Sequence, residues 1–110
     1  MGNPYVTGYF QSTIDFDTGE EGEDIYAAKA GEDAFLCKYD PDGNYLWTRT
    51  WGGILDDTGR AVAVDVSGNA YVTGIFSYTV DFHPGEGTEI HSSFGPDNAF
   101  LVKFDPEGNW

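Results

Sequence analysis

Gly68-Asn69-Ala70-Tyr71-Val72-Thr73-Gly74-Ile75-Phe76 decides the fold, because the chain has already said it once. The earlier copy, 66 positions back, is Gly2-Asn3-Pro4-Tyr5-Val6-Thr7-Gly8-Tyr9-Phe10. A second phrase behaves likewise. Ala34-Phe35-Leu36-Cys37-Lys38-Tyr39-Asp40-Pro41-Asp42-Gly43-Asn44 returns 65 positions later as Ala99-Phe100-Leu101-Val102-Lys103-Phe104-Asp105-Pro106-Glu107-Gly108-Asn109. A period of this length marks one structural unit used repeatedly, each copy burying a face against the next. The 110 residues hold fewer than two copies.

Within the unit, four strand types are expected. Type A is Ala61-Val62-Ala63-Val64, apolar on both faces, as a strand sandwiched between layers should be. Type B is Ala70 to Ser77, with its copy at Pro4 to Phe10. Its Tyr71, Thr73 and Ile75 point one way and Val72, Gly74 and Phe76 the other. Type C is Ala34 to Tyr39, repeated at Ala99 to Phe104. Type D is Tyr45 to Trp51, alternating Tyr45, Trp47, Arg49 and Trp51 against Leu46, Thr48 and Thr50.

Turn chemistry joins them. Asp65-Val66-Ser67-Gly68-Asn69 links A to B, and Asp40-Pro41-Asp42-Gly43-Asn44 links C to D. Pro stands where φ near −65° is needed and Gly where φ turns positive. The link from B to C varies in length and composition between copies, as a surface loop does. Its Ile25-Tyr26-Ala27-Ala28-Lys29-Ala30 stretch could pass for a helical turn, but the counterpart Ile90-His91-Ser92-Ser93-Phe94-Gly95 could not, so both read as extended or irregular.

Four serial antiparallel strands in about 66 residues argue for an all-β fold of propeller-like blades. The expected domain is one β-repeat unit over residues 1–110, with a partial blade of strands B-C-D at 1–59 and one of strands A-B-C at 60–110. Such units leave unpaired edges and uncovered apolar faces. The expected remedy is association with other copies of the chain. Three or four chains would supply six or eight blades, within the propeller range of about 4–8.

These residues resemble the SBBP-type β-propeller repeat of long bacterial proteins. The phrase Gly68 to Gly74, the Val80-Asp81-Phe82-His83-Pro84-Gly85 loop, the Asp97 to Asp105 strand and the Trp51-Gly52-Gly53 ending carry the likeness. The resemblance implies the fold, an extracellular or cell-surface setting, and a binding or structural role. It implies no catalytic residues.

Composition narrows the partners. The formal charge is −14, from 19 acidic and 5 basic side chains. That opposes nucleic-acid binding, which needs a basic face, and attachment to anionic lipid. No stretch approaches the ~20 apolar residues of a membrane span, so no membrane insertion is expected. Met1-Gly2-Asn3-Pro4 has neither the basic region nor the apolar core of a secretory signal. Cys37, the one cysteine, aligns with Val102 and reads as a small core residue.

Candidate sites are few. The B–C loops concentrate acid, with Asp15, Asp17, Glu20, Glu21, Glu23 and Asp24 in one and Asp81, Glu86 and Glu89 in the other. The plain reading is turn-capping and solvated charge. The sharper one is a weak calcium site drawing on Asp15, Asp17, Asp81 and Glu86. Asp40-x-Asp42-x-Asn44 alternates oxygens as calcium loops do. It lacks the later Gly and Glu of that motif and reads as a hairpin turn. Asp56 and Asp57, before Gly59-Arg60, are expected to orient the connector from D to A, with Arg60 pairing with either. His83 and His91 have no histidine counterparts and no ligand spacing for zinc. Tyr45, Trp47 and Trp51 read as packing between blades, with a sugar-stacking platform as the alternative.

No nucleophile motif, phosphate-cradling loop or metalloprotease motif is present. The expected role is therefore a non-catalytic structural or interaction module without a cofactor, binding itself and also a protein or glycan ligand. A calcium-dependent carbohydrate-binding module is the alternative. A hydrolase with an acidic pair in a central channel is the remote one.

Overall fold

A computed structural model describes residues 2–17, 22–29, 31–53, 55–82, 90–92 and 98–110. The described chain is all-β, ten strands with no helix: β1 (Tyr5–Phe10), β2 (Thr13–Asp15), β3 (Ile25–Ala27), β4 (Asp33–Tyr39), β5 (Tyr45–Trp51), β6 (Thr58–Val64), β7 (Ala70–Phe76), β8 (Thr79–Asp81), β9 (Ile90–Ser92) and β10 (Asn98–Phe104). The repeat makes β1 to β4 the counterparts of β7 to β10. Strands β5 and β6 occur once each.

The strands form two three-stranded sheets and two small hairpins. Sheet I has the order β1-β4-β5 and sheet II the order β10-β7-β6, all antiparallel. The expected order A-B-C-D is thus present as a meander, B-C-D in sheet I and A-B-C in sheet II. The B–C loops contain more structure than the sequence suggested. Each carries a short hairpin, β2–β3 or β8–β9, folded back over its own sheet. Both hairpins begin after the same strained residue: Ser12 and Tyr78, equivalent positions, each have φ of 58°.

One turn is built three times. In Asp40–Asn44, Asp65–Asn69 and Asp105–Asn109, the aspartate Oδ1 accepts the backbone N–H groups two and four residues on. Its Oδ2 accepts the asparagine side-chain amide. The glycine N–H donates to the aspartate carbonyl, and the glycine sits at φ of 88°, 88° and 83°. A side chain in that conformation would strain the backbone, which is why the motif keeps Gly at its fourth position. These self-contained bonds hold each of the three aspartates below the usual carboxylate range, led by the asparagine of its own turn. They also settle Asp40 as the keystone of a hairpin turn.

The core lies between the sheets. Cross-strand partners share a face, so Ala34 with Trp51, Leu36 with Arg49 and Lys38 with Trp47 define the front of sheet I. It packs on the back of sheet II, where Ala70, Val72, Phe76, Phe100, Val102 and Phe104 are buried. Trp51 meets Phe100 edge-on at 5.8 Å and lies 5.6 Å from Phe104. Polar clamps close the same joint. Lys38 Nζ and Trp47 Nε1 donate to the Pro106 carbonyl, and Arg49 Nε donates to that of Gly108. Each small hairpin adds one aromatic to the back of its own sheet. Phe16 lies 5.3 Å from Phe10 and 5.0 Å from Phe35, and Phe82 repeats this against Phe76 and Phe100 at 5.3 and 5.4 Å.

Two details differ from the sequence reading. Strand type A was expected to be buried on both faces. In β6, Ala61 and Ala63 face the uncovered front of sheet II and are exposed; Val62, on the covered back, is half-buried, and Val64, on the same face at the end of the strand, is 46 % exposed. Tyr45 was expected beside Trp47, Arg49 and Trp51. The register shifts between Lys38 and Tyr39, leaving Leu46 as an extra residue. One extra residue reverses the alternation. Tyr45 therefore joins Thr48 on the back of sheet I, where its hydroxyl donates to Asp24 Oδ2 and lies 2.7 Å from Thr48 Oγ1.

Candidate functional site

The acidic loops come first, as the sequence pointed to them. Asp15 Oδ1 accepts the backbone N–H groups of Asp17, at 3.0 Å, and Asp24, at 2.8 Å. It therefore ties the two arms of the β2–β3 hairpin together. Asp24 in turn takes the Tyr45 hydroxyl. Asp81, the counterpart of Asp15, pairs through its backbone with Gly52 as well as with β9. Glu86 lies outside the described residues, as do Glu20, Glu21, Glu89 and His83. Among the described residues no three His, Cys, Asp or Glu side chains gather as a metal-binding group. His91 is exposed, with its ring 5.6 Å from that of Phe82.

The aromatic strand is spent on packing. Trp51 is buried, and Trp47 is half-buried between Tyr5, Phe104 and the Arg49 guanidinium, which stands 5.0 Å over its ring. Cys37 is buried with Sγ 3.1 Å from Thr48 Oγ1, and burial pushes its thiol up. It is a core residue, as its counterpart Val102 is.

Two buried acids lie close together, Asp57 in the connector between the sheets and Asp33 at the start of β4. Asp57 accepts the N–H groups of Gly53 at 2.9 Å and Ser77 at 3.1 Å, clamping the connector onto the end of β7. Its neighbour Asp56 accepts the Glu32 N–H. Arg60, expected as their partner, bonds Thr58 Oγ1 instead. Asp33 was not singled out from the sequence. It is buried, its Oδ2 takes the Lys29 N–H, and its Oδ1 has no hydrogen-bond partner. Burial, then the nearby charge of Asp57, lifts its carboxyl to about 6 against the Lys29 bond. Burial likewise raises Asp57. The available signal was the copy comparison, since the position equivalent to Asp33 is Asn98, which carries no charge.

What the two sheets leave open is more informative than any pocket. The front of sheet II repeats the front of sheet I, yet lies bare. Leu36 is 0 % exposed and its counterpart Leu101 is 70 % exposed. The back of sheet I repeats the back of sheet II with the same contrast. Val72 and Val80 are 0 % exposed, against 47 % for Val6 and 37 % for Ile14. Leu36 against Leu101, Val72 against Val6 and Val80 against Ile14 are thus buried in one copy and exposed in the other, where a neighbouring sheet is present in one and not the other, while Phe10 and Phe76, and Cys37 and Val102, are buried in both. Scattered apolar exposure is ordinary on protein surfaces. Exposure at positions whose counterparts form the core is a defined pair of faces.

No family model matches the chain, and no solved structure matches it. Over 78 residues, 68% of this chain, it is 33% identical to an uncharacterized WD repeat-containing protein of Acanthamoeba polyphaga mimivirus. The chain spans about 6% of that protein's length. The likeness to a repeat-containing protein agrees with the repeat seen here and with a β-propeller type of architecture.

Proposed function

We propose that the chain is a non-catalytic interaction module of the β-propeller type, whose exposed front and back faces join it to further units of its own kind. One observation carries this: Leu101 is 70 % exposed where its counterpart Leu36 is wholly buried by a neighbouring sheet. The sheet I–sheet II joint is the template. The front of sheet II would receive the back of sheet I from a second copy, a head-to-tail contact that closes into a ring if the rotation permits. Fully burying one Leu or Val side chain is worth about 1.5–3 kcal/mol, so a few such positions suffice to drive association. The likeness to a WD repeat-containing protein supports an interaction role over a catalytic one.

The test uses two blocked variants. Leu101→Asp places a charge on the front of sheet II, and Val6→Asp does so on the back of sheet I. Each alone should be monomeric while retaining its circular dichroism spectrum. Mixed in equal amounts they should form a dimer and nothing larger, since each brings one intact face. A mixture that remains monomeric beside an associating parent chain would refute the head-to-tail arrangement. So would variants that associate as the parent does.

A further inference from the structure

The connector from β5 to β6 is tied to both sheets beside a small cluster of charged groups. On the sheet I side, the Asp57 N–H donates to the Glu32 carbonyl, and the Asp56 carboxylate accepts the Glu32 N–H, just before β4 begins at Asp33. On the sheet II side, the Asp57 carboxylate accepts the Ser77 N–H directly after β7, and the N–H of Gly53 within the connector itself. Gly52 also pairs with Asp81 of β8.

Asp33 lies 3 % exposed inside this joint, with Oδ2 on the Lys29 N–H and Oδ1 on no partner. A Cβ on Gly52 would overlap Oδ1, so the connector backbone closes directly over the carboxylate. Asp57, 0 % exposed, faces it with a like charge. Lys29 is the cation that acts on both carboxylates, and its Nζ donates to the Gly52 carbonyl. Asp56 adds its charge to Asp57 from the same connector, and Glu32 accepts from the Gln11 amide. With Asp33 ionised, two buried anions share one cation and one oxygen has no donor, a costly arrangement. A proton on Asp33 removes both the repulsion and the buried charge. The equivalent position in the other copy is Asn98, so the charge belongs to this joint and not to the repeat.

We propose that Asp33 and Asp57 act as a proton-operated latch on the connector between the sheets. With Asp33 protonated, the connector closes over it and keeps its bonds to Glu32 and Ser77. With Asp33 ionised, repulsion from Asp57 lifts the connector and opens those bonds while β7 stays paired in its sheet. The latch works within one chain and does not depend on association of the sheet faces.

The test is amide hydrogen exchange of the parent and D33N at matched protein concentration, from about pH 4.5 to 7.5, corrected for intrinsic exchange. The amides of Gly53, Asp57 and Ser77 report the latch, and those of β7 report unfolding of the sheet. The Asp33 carboxyl is raised from 3.8 to about 6, which caps the proton-linked change at about a hundredfold. The expected loss of protection at the three latch amides is about tenfold across this range, with β7 unchanged and D33N flat. Lys29→Gln keeps a donor for Gly52 but removes the cation, so it should move the midpoint to higher pH. A merely structural bond from Lys29 would alter protection at every pH and leave the midpoint in place. The parent and Lys29→Gln decide the matter even where D33N fails to fold. The proposal is overturned if the latch amides show no such loss, if D33N retains it, if β7 loses protection by the same factor, or if Lys29→Gln leaves the midpoint where it was.

Discussion

Replacing Asp33 by asparagine should make the protein more stable at neutral pH. Asp33 is buried, one carboxylate oxygen has no partner, and the other has only the Lys29 N–H. The site is tight: a Cβ on Gly52 would lie 2.3 Å from Asp33 Oδ1. Its carboxyl is raised from 3.8 to about 6, chiefly by burial. The fold thus prefers the protonated form and takes up a proton between those values. Asp33's contribution to stability must therefore be most favourable at low pH, fall as pH rises through about 4 to 6, and level off above that. At about 1.4 kcal/mol per pH unit the ceiling is about 3 kcal/mol, and screening by water near the connector brings the expected effect to about 1–2 kcal/mol. The substituted asparagine keeps the shape and an acceptor for Lys29 while removing the charge, as Asn98 does in the other copy. Urea unfolding of the parent and D33N at matched protein concentration, from pH 7.5 to 4, is the assay. D33N should be more stable at pH 7 and lose its advantage toward pH 4. A parent chain that loses stability from pH 7 to 5, or a D33N curve with the parent's full slope, would refute the reasoning. Relief of the −14 net charge also favours low pH, but it acts on both proteins alike.

Glycines at equivalent positions should respond unequally to alanine. A Cβ at Gly74 would lie 2.0 Å from the Thr58 carbonyl oxygen of β6, whereas one at Gly8 meets only the Phe35 ring edge at 3.2 Å. Gly74→Ala should cost about 2–4 kcal/mol and Gly8→Ala about 1 or less in urea unfolding, and equal costs would contradict the placement of β6 beside β7. The turn aspartates should oppose Asp33 in acid. Their carboxyls are lowered by hydrogen bonds to their own turns, so they stabilise the fold above the ordinary carboxylate range and lose that contribution as pH falls through it. Asp65→Ala should lower the melting temperature at pH 7, and the gap should narrow as pH falls below the ordinary carboxylate range. A gap that persists unchanged in strong acid would mean the carboxylate charge is not what holds the turn. Substituting Trp51 by alanine should cost about 3–5 kcal/mol, since its ring seals Phe100 and Phe104 between the sheets, and near-neutral behaviour in thermal melts would place it outside the core.

The repeat made most of the fold legible. Strand β5 spans Tyr45–Trp51 as its alternation suggested, and Asp40, Asp65 and Asp105 sit in the turn their spacing implied. Copy comparison also placed Cys37 with Val102 in the core. What stayed hidden had physical causes. Tyr45 changed faces because one extra residue, Leu46, entered the ladder, and a bulge leaves no mark on apolar periodicity. The hairpins β2–β3 and β8–β9 are three-residue strands, too short for alternation to be read. Strand β6 has the composition of a doubly covered strand, but cover is supplied by neighbours, which its own four apolar residues cannot report. Asp33 was invisible as a buried acid because its burial comes from Lys29, Gly52 and the connector closing over it, which its own position in the strand does not report, and only the Asn98 in the second copy hinted at it.

The mass of the folded chain in solution tests the central claim most directly. Sedimentation equilibrium across a range of concentrations should show species larger than one 12.1 kDa chain. They should strengthen between 0.15 M and 1 M salt as repulsion between acidic surfaces is screened, the Debye length falling from about 8 Å to about 3 Å. A folded chain that stays at 12.1 kDa at every concentration and salt level would mean that the bare faces at Leu101 and Val6 do not recognise one another.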